Sequence, residues 1–235
     1  MRLDRFLGQC CQLTRREAQR VVRAGEVQVD DLVVLDPARH VDATTKVTWQ
    51  GQALAVQRPQ YLMLNKPAGV VCATHDREHR TVLDLLASPG PTNLHIAGRL
   101  DLDATGLVLL TDDGDWSHRV TSPRRKVPKT YRVTLAEPLA AQAAILLRAG
   151  IHLRGEPKPC APAELEPLDG MQCLITVSEG KYHQVKRMFA AVGNHVRQLH
   201  RLKIGAVVLD PALAPGAWRE LSAGEVWSFS PEDPA

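Results

Sequence analysis

The sequence predicts an α+β fold, in which helices flank a mixed, mainly antiparallel sheet. Apolar segments of strand length, such as Tyr61–Asn65 and Cys173–Val177, recur along the chain with helices interspersed among them. The helical segments are amphipathic: over residues 184–192 the apolar side chains recur at i, i+3, i+4 and i+7. A chain of 235 residues with 44% hydrophobic and 23% charged residues is typical of a globular protein with one large domain or two smaller ones.

Residues 1–58 are predicted to form a small domain of their own. The apolar residues of segment 3–10 have helical spacing. Thr14 and Glu17 form a capping box that begins a second helix, which is rich in arginine. Residues 27–35 then show the pattern of a strand, a turn and a second strand.

The second predicted domain comprises residues 59–235. We place the linker at Arg58-Pro59, because proline lacks a backbone donor and pushes the preceding residue toward extended backbone. The expected elements, in order, are a buried strand over 61–65 that ends in a turn over 66–69, a loop over 88–92, a break from strand to helix over 111–115 with an aspartate as N-cap, a strand over 131–135, a helix over 140–149 that ends at Gly150, an irregular proline-rich segment over 157–167, a strand over 173–177 and a helix over 184–192 that ends at Gly193.

The basic residues are segregated along the chain. Segments 1–25, 119–132 and 181–203 hold 18 of the 29 Lys and Arg residues but only 2 of the 26 acidic residues. Segregated positive charge suits a polyphosphate backbone, because neutralising phosphates releases counterions. The sequence therefore predicts a nucleic acid as the partner.

Other features bear on the compartment and on the class of protein. No apolar segment approaches the roughly 18 residues that a membrane span needs, and the first residues lack the apolar core of a signal peptide. The five cysteines include no C-x-x-C pair, which argues against a disulfide framework and against a structural zinc site. We expect a cytoplasmic protein without a membrane partner and, by default, a monomer.

Asp101 is the leading candidate for chemistry. It follows Gly98-Arg99 and precedes the apolar run Leu107–Leu110, so a short carboxylate is held on ordered backbone beside an arginine. On a strand, Asp101 and Asp103 would face the same side and could hold Mg²⁺. The sequence has no P-loop, no kinase-type glycine-rich loop and no HEXXH motif, and its nine histidines lack metal-ligand spacing. We therefore expect neither a metal nor another cofactor.

A second candidate region surrounds the start of the helix over 184–192. Lys181 lies just before this helix, which itself carries Lys186 and Arg187. A lysine at a helix start is disfavoured by the helix dipole. Its placement there indicates a fixed anionic partner.

Several motifs, taken in order, resemble a known family. The first domain resembles the S4 RNA-binding domain over most of its length. The whole chain resembles the RsuA branch of the pseudouridine synthases, and residues 181–194 most resemble the members of that branch that modify small-subunit rRNA. The segments that carry the resemblance are Asn65–Gly69, Gly98–Gly106, Lys129–Tyr131, Glu179–Phe189 and Leu199–Gly205.

The resemblance implies a cofactor-free isomerase that converts uridine to pseudouridine in 16S rRNA, or in a precursor of the small ribosomal subunit, after flipping the base. It makes Asp101 the catalytic aspartate, Tyr131 the side chain that stacks on the flipped base, and Lys181 the partner that keeps Asp101 ionised. It also implies that Leu174 and Ile175 line the floor of the pocket. The expected RNA contacts are Arg99, Arg15, Arg16, Arg20, Arg124, Arg125, Lys126, Lys186 and Arg187.

Three alternatives stay open at this point. The first is a synthase of the same branch that acts on 23S rRNA. The second is a non-catalytic RNA-binding or ribosome assembly factor that carries an S4 domain. The third is a metal-dependent nuclease that uses Asp101 and Asp103.

Overall fold

A computed structural model describes residues 1–11, 13–42, 44–55, 59–86 and 93–230. The chain divides into two compact units, residues 1–58 and residues 59–235. The loop expected over 88–92 and Arg58 of the expected linker lie outside the described residues. Among the helices that the structure describes, none combines the length and the apolar character needed to cross a bilayer.

The N-terminal unit packs two helices against a small antiparallel sheet of order β2-β1-β3-β4. The capping box that begins the second helix is present as predicted: the Glu17 N–H donates to Thr14 Oγ1, and the Thr14 N–H donates to Glu17 Oε2. The core is aliphatic except for Phe6. The elements are α1 (Leu3–Cys11), α2 (Arg15–Arg23), β1 (Val27–Val29), β2 (Leu32–Val33), β3 (Val47–Trp49) and β4 (Gln52–Leu54).

One carboxylate is buried inside the N-terminal unit. Asp4, on α1, is 2% exposed. It accepts hydrogen bonds from Arg2 Nε and Nη2, from Gln19 Nε2 of α2 and from the backbone N–H of Arg5. The hydrogen bonds from Arg2 contribute most to lowering the pKa of Asp4, against the opposing effect of burial. Asp4 thus fastens α2 to α1.

The second unit is built on a nine-stranded sheet with the main order β13-β5-β7-β11-β8-β10-β9, and β6 and β12 pair with β7 and β11. Among its described strand pairs only β7–β11 is parallel, so the predicted mixed, mainly antiparallel sheet is confirmed. The strands are β5 (Tyr61–Lys66), β6 (His95–Ile96), β7 (Thr105–Thr111), β8 (Lys129–Leu135), β9 (Glu164–Asp169), β10 (Gln172–Val177), β11 (Val196–Ile204), β12 (Val207–Val208) and β13 (Trp218–Glu220).

Helices cover both faces of this sheet, so β7 is buried on both sides. Leu107 and Leu109 belong to one core with Trp116, while Val108 and Leu110 belong to the opposite core. This explains why β7 is continuously apolar instead of alternating. Asp113 is the N-cap expected between 111 and 115, and it accepts from the Trp116 N–H at 3.0 Å. The helices are α3 (Gly114–Thr121), α4 (Ala141–Ala149), α5 (Gln184–Ala191) and α6 (Ala223–Trp227).

The proline-rich segment differs from its prediction. Residues 157–167 were expected to be irregular, but β9 begins at Glu164 and includes Pro167. The sheet tolerates this proline because β9 lies at its edge, where a missing backbone donor leaves no neighbouring strand unpaired. The pairing of β9 with β10 is also irregular next to Pro167, between Gln172 and Cys173.

Candidate active site

A cavity of about 780 Å³ opens on the second unit and brings the three predicted catalytic residues together. Asp101 comes from the loop before β7, Tyr131 from β8 and Lys181 from the segment between β10 and α5. These residues lie far apart in sequence. The cavity therefore exists only because the sheet places β7, β11, β8 and β10 side by side.

Arg201 holds the backbone that precedes Asp101 in the sequence. This arginine, on β11, is 1% exposed. Its guanidinium donates to the carbonyl oxygens of Leu107, Arg99 and Gly98, at 2.7, 3.2 and 2.9 Å respectively. From its charge Arg201 was counted in a segment expected to face phosphates, and that expectation is wrong for this residue because its side chain is buried.

Lys66 holds the backbone that follows Asp101 in the sequence. Its side chain is fully buried, and its ammonium donates to the carbonyl oxygens of Leu102, Ala104 and Pro67, at 3.2, 2.7 and 3.0 Å. Burial lowers the pKa of Lys66. The loop that carries Asp101 is thus fixed on both sides by buried cations bonded to main-chain oxygens.

Gly106 allows this arrangement. It pairs with Arg201 across the parallel contact of β7 with β11 and has φ +100°. A Cβ at this position would overlap the backbone oxygen of Arg201 and would lie 2.8 Å from its backbone nitrogen. Only glycine fits, because no other residue leaves room for the neighbouring strand or adopts this φ without strain.

The carboxylate of Asp101 faces two side chains from the segment around α5. Asp101 Oδ1 lies 3.3 Å from His183 Nε2, and Asp101 Oδ2 lies 3.1 Å from Lys186 Nζ. The side chain of Asp101 is 25% exposed and lines the cavity. Part of the carboxylate thus stays open to a ligand.

The expected ion pair between Lys181 and Asp101 is wrong for this structure. Lys181 Nζ donates to the carbonyl oxygens of Lys158 and Pro159, and it lies 4.0 Å from a carboxylate oxygen of Glu156. The Lys181 ammonium is thus bonded to these acceptors and not to Asp101. Lys186, which was expected to contact RNA, takes the place beside Asp101.

Lys186 also bridges Asp101 to Asp103, with 2.6 Å between its Nζ and Asp103 Oδ1. Burial acts to lower the pKa of Lys186, but its hydrogen bonds to Asp103 and Asp101 outweigh burial and raise it. The hydrogen bond from Lys186 is also the main cause of the lowered pKa of Asp103. The ammonium therefore lies between the two carboxylates, where the metal of the nuclease alternative would have to lie. Within the described residues no group of three or more His, Cys, Asp or Glu side chains is arranged to hold a metal.

Tyr131 contributes an aromatic ring to the cavity. It is 8% exposed and is paired with Arg201 on β11 and with Ile175 on β10. Leu174 and Ile175 were expected to line the floor, but neither lines the cavity, and the Ile175 side chain is fully buried. The apolar residues that do line the cavity include Val71, Cys72, Val177 and Leu199.

The expected RNA contacts divide into free and engaged side chains. Arg187 is engaged, since its guanidinium donates to Glu156 Oε1 and to the carbonyl oxygens of Arg154 and Tyr182. Arg15 is exposed, although its Nε lies 3.5 Å from a carboxylate oxygen of Asp4. The other exposed members are Arg99 at the cavity, Arg16 and Arg20 on α2, and Arg124, Arg125 and Lys126 in and after the turn that follows α3.

Comparisons with known proteins identify the family. The family model described as RNA pseudouridylate synthase matches residues 60–191, and the S4 domain model matches residues 1–47. Relatives from Vibrio cholerae and Escherichia coli K12, both named ribosomal small subunit pseudouridine synthase A, are each 50% identical over 97% of this chain and 99% of their own length. A crystal structure of a pseudouridylate synthase, 44% identical, matches with a TM-score of 0.72 over 98% of this chain and 100% of its own. The two resemblances inferred from the sequence are confirmed.

Proposed function

The chain belongs to the RNA pseudouridylate synthase family and begins with an S4 domain, and we propose that it converts a uridine of 16S rRNA to pseudouridine. The choice of 16S rRNA, free or in a precursor of the small subunit, is supported by relatives that are named for the small ribosomal subunit. We further propose that the protein acts as a monomer in the cytoplasm.

The observation that carries the proposal is the fixed, partly open carboxylate of Asp101. Arg201 and Lys66 bond to main-chain oxygens on both sides of it, so the carboxylate needs little reorganisation to meet a substrate. The flipped uridine enters the cavity beside it. In this proposal Asp101 is the catalytic residue.

The reaction that Asp101 promotes is an isomerisation, so no atom is gained or lost overall. The carboxylate attacks the ribose C1′, or otherwise promotes departure of uracil, and the bond from N1 to C1′ breaks. Uracil rotates within the cavity and a bond forms from C5 to C1′. Where the carboxylate has bonded to C1′, that bond breaks as C5 attacks, and Asp101 is released as a carboxylate. The C5 proton leaves to solvent, and N1 gains a proton.

The remaining groups hold the base and balance the charge. Tyr131 presents its ring to the cavity and stacks on the uracil. Lys186 and His183 face the Asp101 carboxylate, and Lys186 provides its counter-charge. Lys181, as placed here, stabilises the segment between β10 and α5 through the carbonyls of Lys158 and Pro159.

Tritium release tests the proposal. 16S and 23S rRNA carrying tritium at uridine C5 are incubated with the protein, both free and as precursor particles, with and without EDTA. We expect label to be released from small-subunit RNA at the same rate with and without EDTA. Release from 23S rRNA alone would move the substrate to the large subunit, and no release from any RNA would refute the synthase proposal. Strand cleavage that EDTA abolishes would support the nuclease.

A further inference from the structure

Tyr182 is an exposed aromatic residue at the cavity to which the mechanism above gives no role. Its side chain is 74% exposed, yet it lines the same cavity as Asp101. A large apolar ring left in solvent beside a substrate cavity indicates a contact that forms when the substrate binds.

The ring of Tyr182 is held in place before any ligand arrives. It stacks on the imidazole of His183, with ring centroids 3.8 Å apart and planes 21° from parallel. The carbonyl oxygen of Tyr182 accepts a hydrogen bond from Arg187 Nη1 at 3.0 Å. His183 has φ +47°, a conformation that a non-glycine residue keeps only when its surroundings enforce it. One face of Tyr182 is covered and the other is free.

We infer that the free face of Tyr182 binds an unpaired nucleobase of the substrate RNA, next to the target uridine. The inference rests on the proposed function, because it needs an RNA strand in the cavity. Aromatic rings bind the flat faces of unpaired bases in single-stranded RNA.

The order of the rings decides which base this is. His183 touches Asp101, and Tyr182 covers His183. Asp101 contacts the edge of the His183 ring through Nε2, so a base on the outer face of Tyr182 lies two ring spacings away from the ring whose edge meets Asp101. The target uridine must reach Asp101 directly, so the base on Tyr182 belongs to a flanking nucleotide. Tyr131 holds the target, and Tyr182 holds its neighbour.

The test compares Tyr182→Ala, Tyr182→Phe and Trp227→Ala in the full-length protein. Trp227 is a matched control, because it is also 74% exposed but does not line the cavity. The probes are the shortest 16S rRNA fragment that the wild type binds and a set of copies in which one nucleotide at a time is abasic. Dissociation constants are measured directly, alongside kcat and KM from tritium release.

We expect Tyr182→Ala to weaken binding of the intact fragment roughly 10-fold, with a matching rise in KM and a smaller change in kcat. Tyr182→Phe and Trp227→Ala stay near the wild type. On one of the abasic copies, wild type and Tyr182→Ala bind equally, since the stacked base is gone, and that position lies next to the uridine that loses its tritium.

The inference is overturned if Tyr182→Ala binds the intact fragment as well as Trp227→Ala does. It is also overturned if the effects of Tyr182→Ala and of each abasic site simply add. Dissociation constants decide this even if the wild type releases no tritium, whereas only the absence of tritium release refutes the proposed function.

Discussion

Asp4 and Asp101 are two carboxylates that lie among cations, one in each unit, and they differ in how completely they are satisfied. Asp4 is 2% exposed and accepts from Arg2, Gln19 and the backbone, so nothing of it is left for a ligand. The side chain of Asp101 is 25% exposed and opens into a cavity. The cations closest to its backbone, Lys66 and Arg201, bond to carbonyl oxygens rather than to the carboxylate. At Asp4 the neighbouring cation bonds to the carboxylate itself, whereas at Asp101 the two buried cations bond to the backbone around it.

The difference predicts that Asp101→Asn removes activity and spares the fold. We expect a loss of at least about 1,000-fold in kcat, or about 4 kcal/mol in the barrier. RNA affinity and the melting temperature should change little, because the amide keeps the shape of the side chain. Tritium release, RNA binding and thermal unfolding measure the three. Asp103→Asn is the control, since that side chain is 72% exposed, and an equal loss in both variants would contradict a special role for Asp101.

Arg201→Met should damage both activity and stability. It leaves the carbonyl oxygens of Gly98, Arg99 and Leu107 without their donor, so we expect kcat to fall about 100-fold and the free energy of unfolding to fall by about 2–4 kcal/mol. Denaturant unfolding and tritium release measure these. Arg197→Met is the control on the same strand, because Arg197 is exposed. Equal kcat and equal stability of the two variants would show that the hydrogen bonds from Arg201 to the backbone are unimportant.

Asp4→Asn should do the opposite of Asp101→Asn, lowering stability and sparing kcat. We expect a loss of about 1–2 kcal/mol at pH 7. The lowered pKa of Asp4 stabilises the fold above the usual value of 3.8, and this contribution is lost as the pH falls below it. The difference in the free energy of unfolding between the wild type and Asp4→Asn should therefore become smaller below about pH 4. Hydrogen exchange of α1 at several pH values measures this difference. A difference that does not change with pH would contradict the stabilising role of the ionised Asp4 carboxylate.

The smallest effect is expected at the exposed arginines of α2. Arg16→Ala should weaken rRNA binding about two- to threefold and reduce its salt dependence, because one phosphate contact is lost. Arg39→Ala is the control, since Arg39 is exposed in the same unit but lies off α2. Filter binding between 50 and 200 mM salt, a range in which such contacts weaken strongly, separates the two. Equal effects of Arg16→Ala and Arg39→Ala on affinity and salt dependence would contradict a role of α2 in RNA binding.

Local signals were enough for much of the fold. The capping box of Thr14 with Glu17 and the N-cap at Asp113 depend on groups three residues apart, so both could be recognised in the sequence. The helix predicted over 184–192 occupies Gln184–Ala191. Pro167 shows the limit of such signals: its tolerance depends on β9 being an edge strand, which only the assembled sheet determines.

The candidate site was predictable in its members and not in their contacts. Asp101, Tyr131 and Lys181, which the resemblance named, line one cavity, and their catalytic roles stay predictions. Which lysine of the 181–187 segment meets Asp101 depends on how α5 is rotated over the sheet, and spacing alone does not give that angle. Arg201 was misread because its charge was counted without its burial. Its two-residue spacing from the buried Leu199 on β11 was the signal that could have identified it.

The row formed by Gly106, Arg201 and Tyr131 on three neighbouring strands also constrains how the molecule folds. Arg201 bonds to Leu107 across 94 residues of sequence. Contacts of such long range form late, because their loops are costly to close before the rest of the sheet rewards it. A chain that has emerged from the ribosome only as far as β10 has no β11 to fix the Asp101 loop. Catalysis therefore begins only when β11 has inserted between β7 and β8, so a chain that lacks β11 cannot modify RNA.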